Sequence, residues 1–374
     1  MGEVRNVLIA TDSFKGTLSS LEAANIIKDA LLEIRPSLNV IVLPLADGGE
    51  GSLETIAYSL GGTFHDEFVV GPNFDCHMAH YLLKDDVAYI EAASCCGMTL
   101  AKKGSTPMET TSYGVGQLIS DALLKGAKRI VLCIGGVATN DLGVGIAHVL
   151  GASFLDEDGE SFVPVGKNLK DIVDFDLSRL MEEIKGAELQ VLVDVRNPLY
   201  GPNGASRTYA RQKGASEEEI ELLEEGIIHL ANLIKAKTGK DIAHVPGAGA
   251  AGGIGGGMLA FFDASFVSGI DTILNLMGFD RRVDEADLVI TGEGKLDGQS
   301  LYGKAISGVA SKAKAKGKPV AAVVGKCELD QTGIDRLGLD LVIESKGKGT
   351  LEEIRKTAKE DLRLAVIEGF KAYL

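Results

Sequence analysis

Acidic, hydroxyl and amine side chains follow directly after three apolar segments of the chain, each of which we predict to be a β-strand. The segments and the groups behind them are residues 7–10 with Asp12, Ser13 and Lys15, residues 41–46 with Asp47 and Glu50, and residues 288–291 with Glu293 and Asp297. Glycines accompany the charged groups in all three loops. Because open α/β sheets bind ligands at the carboxyl ends of their strands, we expect the three loops to form one site.

Two predicted strands in the middle of the chain are each followed by a further candidate site residue. Asn140 follows one of these strands and Asp194 follows the other. Asp194 is a candidate general base, and the downstream cations Arg207 and Lys213 are available to an anionic substrate. An Asx turn, in which the Asp194 side chain only stabilises the loop before the next proline, is an alternative that the spacing leaves open.

Two glycine-rich stretches imitate known phosphate-binding motifs. Residues 247–252 have the glycine spacing of the dinucleotide fingerprint, but the residues before them do not form the apolar strand that this motif requires. Residues 298–305 nearly match the P-loop, but Ala305 replaces the hydroxyl residue that would hold magnesium. We therefore interpret both stretches as glycine loops whose backbone amides could bind phosphate, and not as the standard motifs.

The order of the predicted elements is typical of a parallel α/β sheet. Strands and helices alternate at both ends of the chain, and the first predicted helix begins with the capping pair Ser19 and Glu22. Between these ends lies a hairpin-like segment and then a second α/β pattern. We therefore predict one doubly wound domain, made of residues 1–62 and 285–374, which is interrupted by a second α/β domain, residues 63–284.

The composition limits the class of protein. The chain has 374 residues, of which 45% are hydrophobic, and a formal net charge of -15. It is long enough for two domains, and it lacks the excess of Lys and Arg that nucleic acids or anionic membranes select. No apolar run reaches the ~20 residues that span a bilayer, and the five cysteines show neither zinc nor disulfide spacing. We expect a cytoplasmic protein with a small-molecule ligand and no nucleic-acid or membrane partner.

Several motifs, in the same order along nearly the whole chain, are similar to those of the bacterial glycerate kinase family. They include Asp12-Ser13-Phe14-Lys15-Gly16, Asp47-Gly48-Gly49-Glu50-Gly51, Thr110-Thr111-Ser112-Tyr113-Gly114, Thr139-Asn140-Asp141, Asp194 with Asn197-Pro198, the glycines of residues 247–253, and Thr291-Gly292-Glu293-Gly294. The chain therefore resembles this family, in which a second α/β domain, restriction-endonuclease-like by the same resemblance, interrupts a flavodoxin-like domain. The resemblance places the active site in the cleft between the two domains.

The resemblance implies ATP-dependent phosphorylation of D-glycerate with Mg²⁺, and 2-phosphoglycerate as the expected product. Phosphoryl transfer needs in-line positioning, neutralisation of the phosphoryl oxygens and an acceptor for the hydroxyl proton. On this basis Asp194 accepts the proton and Lys15 stabilises the transferred phosphoryl group. The other expected roles are glycerate binding by Ser13, Asn140, Arg207 and Lys213, nucleotide phosphate binding by Gly247, Gly249, Gly252, Gly253, Gly255, Gly292 and Gly294, and magnesium binding by Asp47, Glu50, Glu293 and Asp297.

Two alternatives belong to other classes of protein. A nicotinamide-dependent oxidoreductase acting on a small hydroxy acid would use the glycines of residues 247–252, and a non-catalytic sensor of sugar acids would bind glycerate without turning it over. Acidic groups at several strand ends favour an enzyme over a sensor. The sequence does not determine the phosphorylated hydroxyl, the substrate tolerance or the oligomeric state.

Overall fold

The chain divides into two compact units. A computed structural model describes residues 4–46, 48–49, 51–301, 305–345, 347 and 349–374. The terminal unit holds the described residues up to 46, residues 54–60 and the described residues from 269 onwards, and the middle unit holds the described residues of 48–53 together with residues 61–268. The domain limits expected from the sequence stay a prediction.

Strands and helices alternate in both units, so the α/β class predicted from the sequence is confirmed. The strands are β1 (Asn6–Thr11), β2 (Asn39–Val42), β3 (Thr63–Val70), β4 (Cys76–Lys84), β5 (Val87–Glu91), β6 (Arg129–Cys133), β7 (Ser153–Leu155), β8 (Ser161–Phe162), β9 (Asp174–Asp176), β10 (Glu188–Leu192), β11 (Ser265–Val267), β12 (Leu288–Leu296), β13 (Val320–Cys327) and β14 (Leu341–Glu344).

The helices connect these strands. The α-helices are α1 (Ser20–Ile34), α2 (Ser52–Leu60), α3 (Ala93–Cys96), α4 (Tyr113–Leu124), α5 (Val144–Val149), α6 (Glu182–Lys185), α7 (Ala205–Tyr209), α8 (Glu217–Thr238), α9 (Ile254–Phe262), α10 (Gly269–Leu276), α11 (Phe279–Glu285), α12 (Ala305–Ala315), α13 (Gln331–Leu337) and α14 (Leu351–Phe370), and short 3₁₀ helices cover Gly166–Asp171, Arg211–Lys213, Ala250–Gly253 and Gly298–Leu301. In the described part of the chain, no helix is long and apolar enough to cross a membrane.

The terminal unit is built on a parallel sheet of five strands in the order β14-β13-β12-β1-β2. Numbered within this sheet alone, the order is 2-1-3-4-5, which is the strand order of flavodoxin-like folds. Alternate side chains of β1 point to opposite faces of the sheet, so Val7 and Ile9 enter one core and Leu8 and Ala10 enter the other. The sheet is therefore buried on both faces, as its continuous apolar strands require.

Helices cover both faces of this sheet. Helices α1 and α14 pack on one face, and α10, α11 and α12 pack on the other. The predicted capping box of α1 is confirmed: Ser19 Oγ accepts a hydrogen bond from the Glu22 N–H at 3.2 Å, and Glu22 Oε2 accepts one from the Ser19 N–H at 3.0 Å. Helices α10 and α11 contribute Ile270 and Phe279 to the core of the terminal unit.

Strand β12 is longer than the segment predicted from the sequence, which ended at Thr291. It continues to Leu296 because its neighbour β13 also continues, and Leu296 pairs with Cys327. The two strands approach closely at Gly292, where an added Cβ would lie 2.2 Å from the carbonyl oxygen of Val323. The first residues of the predicted glycine loop are therefore part of the sheet.

The middle unit is built on a mixed sheet of six strands in the order β11-β10-β6-β5-β4-β3. Strands β3, β4 and β5 are antiparallel neighbours, whereas β5, β6, β10 and β11 run parallel. The core contains Leu132 and Val191 from the parallel strands, Leu118 from α4 and Ile254 from α9. Because β6 and β10 run parallel, their carboxyl ends lie at the same edge of this sheet. The restriction-endonuclease-like comparison stays a prediction.

We predict that Gly292→Ala destabilises the protein and that Gly298→Ala does not. A Cβ at Gly292 would lie 2.2 Å from the Val323 carbonyl oxygen, whereas a Cβ at Gly298 would have no neighbour among the described residues within 4 Å. Overpacking of this kind costs about 1–3 kcal/mol. The measurement is the urea concentration at the unfolding midpoint, which should fall only for Gly292→Ala. Equal midpoints for the two variants would contradict the close approach of β12 and β13.

Candidate active site

A cavity of about 510 Å³ lies at the carboxyl ends of four strands of the terminal unit, β1, β12, β13 and β14. Its lining includes five residues that the sequence predicted for the site, namely Ser13, Lys15, Glu293, Gly294 and Asp297. Two of the three predicted strand-end loops therefore come together, although they lie near opposite ends of the chain. Asp47 and Glu50, from the third loop, lie outside the described residues.

The loop after β1 is held by its own backbone. The Phe14 carbonyl oxygen accepts hydrogen bonds from the N–H groups of Thr17 at 2.8 Å and Leu18 at 3.1 Å. Gly16 supplies a positive φ of 80°, a conformation that glycine adopts without strain. This tight turn fixes the backbone around Lys15, which lines the cavity.

Asp12 is a buried carboxylate at the start of the same loop, only 6% exposed. Its N–H donates a hydrogen bond to the Gly292 carbonyl oxygen at 2.9 Å, which joins β1 to β12. Its Oδ1 accepts a hydrogen bond from the Ser13 N–H at 2.6 Å. Asp12 also lines the cavity, so it is a further candidate for the site that the sequence pattern contained but that had no predicted role.

Glu293 and Asp297 are linked through Ser300. The Ser300 hydroxyl donates a hydrogen bond to Glu293 Oε1, and its oxygen accepts one from the Asp297 N–H at 3.2 Å. Glu293 and Ser300 are both buried. Gly294 allows the loop after β1 to approach this acidic segment, because a Cβ there would lie 3.2 Å from the Lys15 backbone nitrogen. Ser300 therefore orients the Glu293 carboxylate and fixes the backbone at Asp297.

The acids of this cavity fit a magnesium ion. Mg²⁺ prefers oxygen ligands and is commonly held by one or two carboxylates together with substrate phosphates and water. Asp12, Glu293 and Asp297 offer carboxylates in the lining. Among the described residues, however, no group of three or more His, Cys, Asp or Glu side chains could hold a metal ion by itself. The donor set therefore suits an ion that arrives with a phosphorylated ligand.

Asp194 follows β10 in the middle unit and is partly buried. The Ser268 hydroxyl donates a hydrogen bond to Asp194 Oδ1 at 3.2 Å. In the same loop, Asn197 Nδ2 donates to the Asn203 carbonyl oxygen at 2.8 Å, and Asn197 Oδ1 accepts from the Tyr209 hydroxyl at 2.7 Å. The loop that carries the candidate base is therefore fixed by side-chain contacts, and both interpretations of Asp194 remain predictions.

Asn140 is fully buried, shortly after the end of β6. Its Nδ2 donates a hydrogen bond to the Ser206 hydroxyl at 3.1 Å, whereas its Oδ1 has no hydrogen-bond partner in the described part of the chain. A buried acceptor without a partner costs about 1–3 kcal/mol. Asn140 Oδ1 is therefore an acceptor that a hydroxyl group of a ligand could satisfy.

Asp141 holds the turn that carries Asn140. Its Oδ2 accepts hydrogen bonds from the N–H and the hydroxyl of Ser112 at 2.8 and 2.7 Å, and its Oδ1 accepts one from the Gly143 N–H at 3.1 Å. Burial raises the pKa of Asp141, and these hydrogen bonds act in the opposite direction. Asp141 therefore stabilises the turn, with both carboxylate oxygens engaged by the protein.

Lys213, which lies far along the chain from Asn140, contacts the same turn. Its side chain is half-buried, and its ammonium donates a hydrogen bond to the Thr139 carbonyl oxygen at 2.6 Å. Burial lowers the pKa of Lys213 to about 8, while Cys96 and Asp141 act in the opposite direction. The structure thus brings together Asn140 and Lys213, two of the predicted glycerate ligands.

Arg207, another predicted glycerate ligand, is engaged by carboxylates of α8. Its guanidinium forms a two-pronged ion pair with Glu221, at 2.5 and 2.7 Å, and its Nε lies 3.5 Å from Glu224 Oε1. Glu221 is exposed and Glu224 is buried. A contact of Arg207 with glycerate stays a prediction, and it would compete with these ion pairs.

The glycines predicted to bind nucleotide phosphates in the middle unit pack against other backbone segments. A Cβ at Gly249 would lie 2.1 Å from the Pro198 carbonyl oxygen, and one at Gly252 would lie 2.1 Å from that of Thr139. The N–H groups of Gly247 and Gly249 both donate to the Asn197 carbonyl oxygen at 3.1 Å. Two further glycines make close contacts of the same kind: Gly253 lies near Leu142, and Gly255 lies near Gly247. The phosphate-binding role of these glycines stays a prediction.

The dinucleotide fingerprint lacks its structural context. Residues 241–249, all of them described, contain no strand, whereas the fingerprint requires one directly before its first glycine. The observation agrees with the interpretation of this stretch as a glycine loop of another kind. It gives no support to the nicotinamide-dependent alternative.

Comparison with known proteins gives a consistent result. A model described as the Glycerate kinase family matches residues 7–372. Glycerate kinase of Halalkalibacterium halodurans is 41% identical over 340 residues, which cover 90% of each chain. Glycerate 2-kinase of Escherichia coli (strain K12) is 38% identical over 360 residues, which cover 95% of this chain and 94% of the relative.

A solved structure agrees with the sequence matches. It is the crystal structure of a protein assigned as glycerate kinase 2 from Salmonella typhimurium LT2, with a TM-score of 0.84 and 36% sequence identity over 99% of this chain and 98% of that one. The matches extend over most of the chain and confirm the resemblance that its motifs indicated. The chain belongs to the glycerate kinase family and is a kinase.

Proposed function

We propose that this protein transfers the γ-phosphoryl group of ATP to the 2-hydroxyl of D-glycerate and releases ADP and 2-phosphoglycerate. The observation that carries the proposal is the cavity of the terminal unit, which Lys15 lines together with Glu293 and Asp297. Family membership supports the reaction class, and the name of the Escherichia coli relative supports the 2-hydroxyl as the acceptor.

In the terminal unit, Lys15 places a positive charge against the oxygens of the transferred phosphoryl group. A compact ammonium on a loop with a fixed backbone needs little rearrangement when charge develops. Glu293 and Asp297 would hold magnesium together with substrate phosphates, and magnesium, when bound, would neutralise charge on the phosphate oxygens. Ser300 keeps the Glu293 carboxylate oriented through their hydrogen bond. Magnesium binding by Asp47 and Glu50, and glycerate binding by Ser13, remain parts of the proposal.

In the middle unit, Asp194 accepts the proton of the glycerate hydroxyl as the bond to phosphorus forms. Ser268 orients the Asp194 carboxylate through its hydrogen bond to Oδ1. Asn140 Oδ1, which has no hydrogen-bond partner among the described residues, accepts a hydrogen bond from a glycerate hydroxyl. Lys213 holds the backbone next to Asn140 and adds a positive charge for the glycerate carboxylate.

The proposed reaction is tested with a coupled assay on purified protein, ATP, D-glycerate and magnesium. Enolase alone detects 2-phosphoglycerate, and phosphoglycerate mutase added later converts 3-phosphoglycerate into the detectable isomer. Signal before the mutase is added supports the proposal, and signal only afterwards assigns the 3-hydroxyl as acceptor. Glycerate binding without ADP release would favour the sensor alternative.

We predict that Lys15→Met lowers kcat by about 10²–10³. The variant removes the positive charge that balances the transferred phosphoryl group but keeps most of the length of the unbranched side chain. Lys359→Met is the matched control, because Lys359 is an exposed lysine of the same unit that pairs with Glu22. Steady-state kinetics check the outcome. A rise in KM with unchanged kcat would instead limit Lys15 to ground-state binding.

We predict that Asp194→Asn lowers kcat by about 10²–10⁴, because the amide cannot accept the hydroxyl proton. Ser268→Ala should cause a smaller loss, since it removes only the hydrogen bond that orients the carboxylate. Asp158→Asn, an exposed acid of the same unit, is the control. Turnover of Asp194→Asn close to that of the unmodified protein would favour the Asx-turn interpretation.

We predict that Lys213 makes the stability of the protein depend on pH between about 8 and 10.5. Burial lowers its pKa from 10.5 to about 8, so the unfolded chain binds this proton more tightly across that interval and the folded state gains stability as the pH rises. Lys213→Met lacks this titration. The unfolding free energy of the unmodified protein should therefore rise relative to that of Lys213→Met as the pH increases across the interval. Urea denaturation measures both free energies. A constant difference would contradict the burial of the ammonium.

A further inference from the structure

The mixed sheet of the middle unit has one long open edge. Strand β3 pairs with β4 over all eight of its residues and, within the described part of the chain, with no other strand. The other edge strands of the two larger sheets, β2, β11 and β14, have only three or four residues each. Proteins protect sheet edges by keeping them short, or with bulges, prolines and charged side chains. Residues 63–70 have no proline, lysine or bulge, and their only protection is the adjacent acids Asp66 and Glu67.

The hydrogen bonds around β3 show which of its backbone groups face the open edge. The Gly71 N–H donates to the Asp75 carbonyl oxygen at 2.6 Å, so the odd-numbered residues are the ones that hydrogen-bond across the hairpin. The Val70 N–H donates to Gln117 Oε1 at 2.7 Å, on the side away from β4. Because these two kinds of position alternate along an antiparallel strand, the even-numbered residues point their N–H and C=O groups outwards. Those with an outward N–H that is not engaged by Gln117 are Phe64, Asp66 and Phe68.

The outer face of the hairpin exposes apolar side chains. Val69 and Tyr81 enter the core of the middle unit, so the alternate residues lie on the opposite face. On that face Phe64, Phe68 and Met78 are 44%, 69% and 49% exposed. With about 200 Å² for a whole side chain of this size, they expose about 300 Å² together. Apolar patches of about 300–600 Å² are often functional on the surfaces of monomers.

Strand β3 is complementary to a second copy of itself. In an antiparallel pair centred on Asp66, Phe64 of each copy lies opposite Phe68 of the other, and His65 of each copy lies opposite Glu67 of the other. One face of the pair then holds two aromatic contacts, and the other holds two contacts between an imidazole and a carboxylate. The outward N–H and C=O groups of the two copies also lie opposite one another. The one like-charge contact is that of Asp66 with Asp66 of the second copy.

The neighbouring registers are less favourable. A pair centred on His65 sets Phe64 of each copy opposite Asp66 of the other, so that no aromatic contact forms. A pair centred on Glu67 sets this acid opposite itself and requires the Val70 N–H, which Gln117 already engages. Only the register centred on Asp66 therefore combines aromatic contacts with contacts of His65 and Glu67.

Contacts within each copy already hold the side chains of this register. The His65 ring stacks on that of Tyr81, with centroids 5.3 Å apart and an angle of 17° between the planes. The Phe64 ring meets that of His80 edge to face, also with centroids 5.3 Å apart. Association with a second copy therefore costs little further ordering of His65 and Phe64.

We propose that this protein forms a two-fold symmetric dimer in which β3 pairs with β3 of a second copy, centred on Asp66. The two six-stranded sheets then form one continuous sheet, joined by about six backbone hydrogen bonds. The apolar patch is small compared with the interface of a permanent complex. We therefore expect a dimer that dissociates at micromolar concentrations of the protein.

Sedimentation velocity of the full chain, from micromolar to submillimolar concentrations, tests the dimer. Phe68→Glu should raise the Kd of dimerisation by about tenfold or more, because it places a charge in the aromatic contacts. Val173→Glu is the matched control, since it makes the same change at an exposed apolar residue elsewhere in the middle unit, and it should leave the Kd unchanged. Asp66→Asn should lower the Kd by about two- to fivefold, because it removes the like-charge contact. Circular dichroism checks that each variant is folded.

A cysteine at position 66 tests the register. Opposite residues of a hydrogen-bonded pair have Cα atoms about 5.5 Å apart, which is within the reach of a disulfide. In a chain that carries Cys76→Ser to remove the exposed thiol, Asp66→Cys should therefore crosslink two copies under mild oxidation. The control is Thr63→Cys, whose two copies would lie about 20 Å apart and should not crosslink. A non-reducing gel separates crosslinked from single chains.

Four outcomes would overturn the proposed dimer: a monomer at every concentration, a Kd that Phe68→Glu leaves unchanged, a Kd that Asp66→Asn raises, or equal crosslinking at positions 63 and 66. A dimer that Phe68→Glu weakens and that position 66 crosslinks would confirm it. Each measurement is made without ATP or glycerate, so its result does not depend on the proposed function.

Discussion

The parallel pairing of β1 with β12 is the interaction on which the candidate site of the terminal unit depends. It sets Thr11 opposite Gly292, and the Asp12 N–H continues the pattern by donating to the Gly292 carbonyl oxygen. Lys15 and Glu293, which are far apart in the sequence, therefore line the same cavity. A shift of one residue in this register would turn every β1 side chain to the other face of the sheet and separate the two groups.

Glycine has two different physical uses in this chain, and only one of them involves a ligand. A glycine leaves its N–H accessible to phosphate, but it also allows another backbone to come closer than a side chain would permit. The second use accounts for Gly252 and Gly257, where an added Cβ would lie 2.1 Å from the Thr139 carbonyl oxygen and 2.0 Å from that of Leu142. Glycine richness alone is therefore a weak indication of phosphate binding in the middle unit.

Local signals in the sequence predict the α/β class, the capping box at Ser19 and the loops that line the cavity. Each of these features depends on residues that are close together in the chain. The extension of β12, the hydrogen bond of Ser300 to Glu293 and the hydrogen bond of Lys213 to the Thr139 carbonyl oxygen were not predicted. They depend on contacts with a neighbouring strand or with a distant loop, and no periodicity or spacing in one segment encodes such a contact.

The order of synthesis gives the β1 and β12 pairing a further consequence. The middle unit lies between these strands in the sequence, so a ribosome makes all of it before β12 appears. At a translation rate of about 5–20 residues per second, β12 is synthesised about ten seconds or more after β1. During that time Val7 and Ile9 can pack only against segments made early, such as α1 and β2. Strand β1 is therefore exposed to competing partners for longer than any other strand in the sheet.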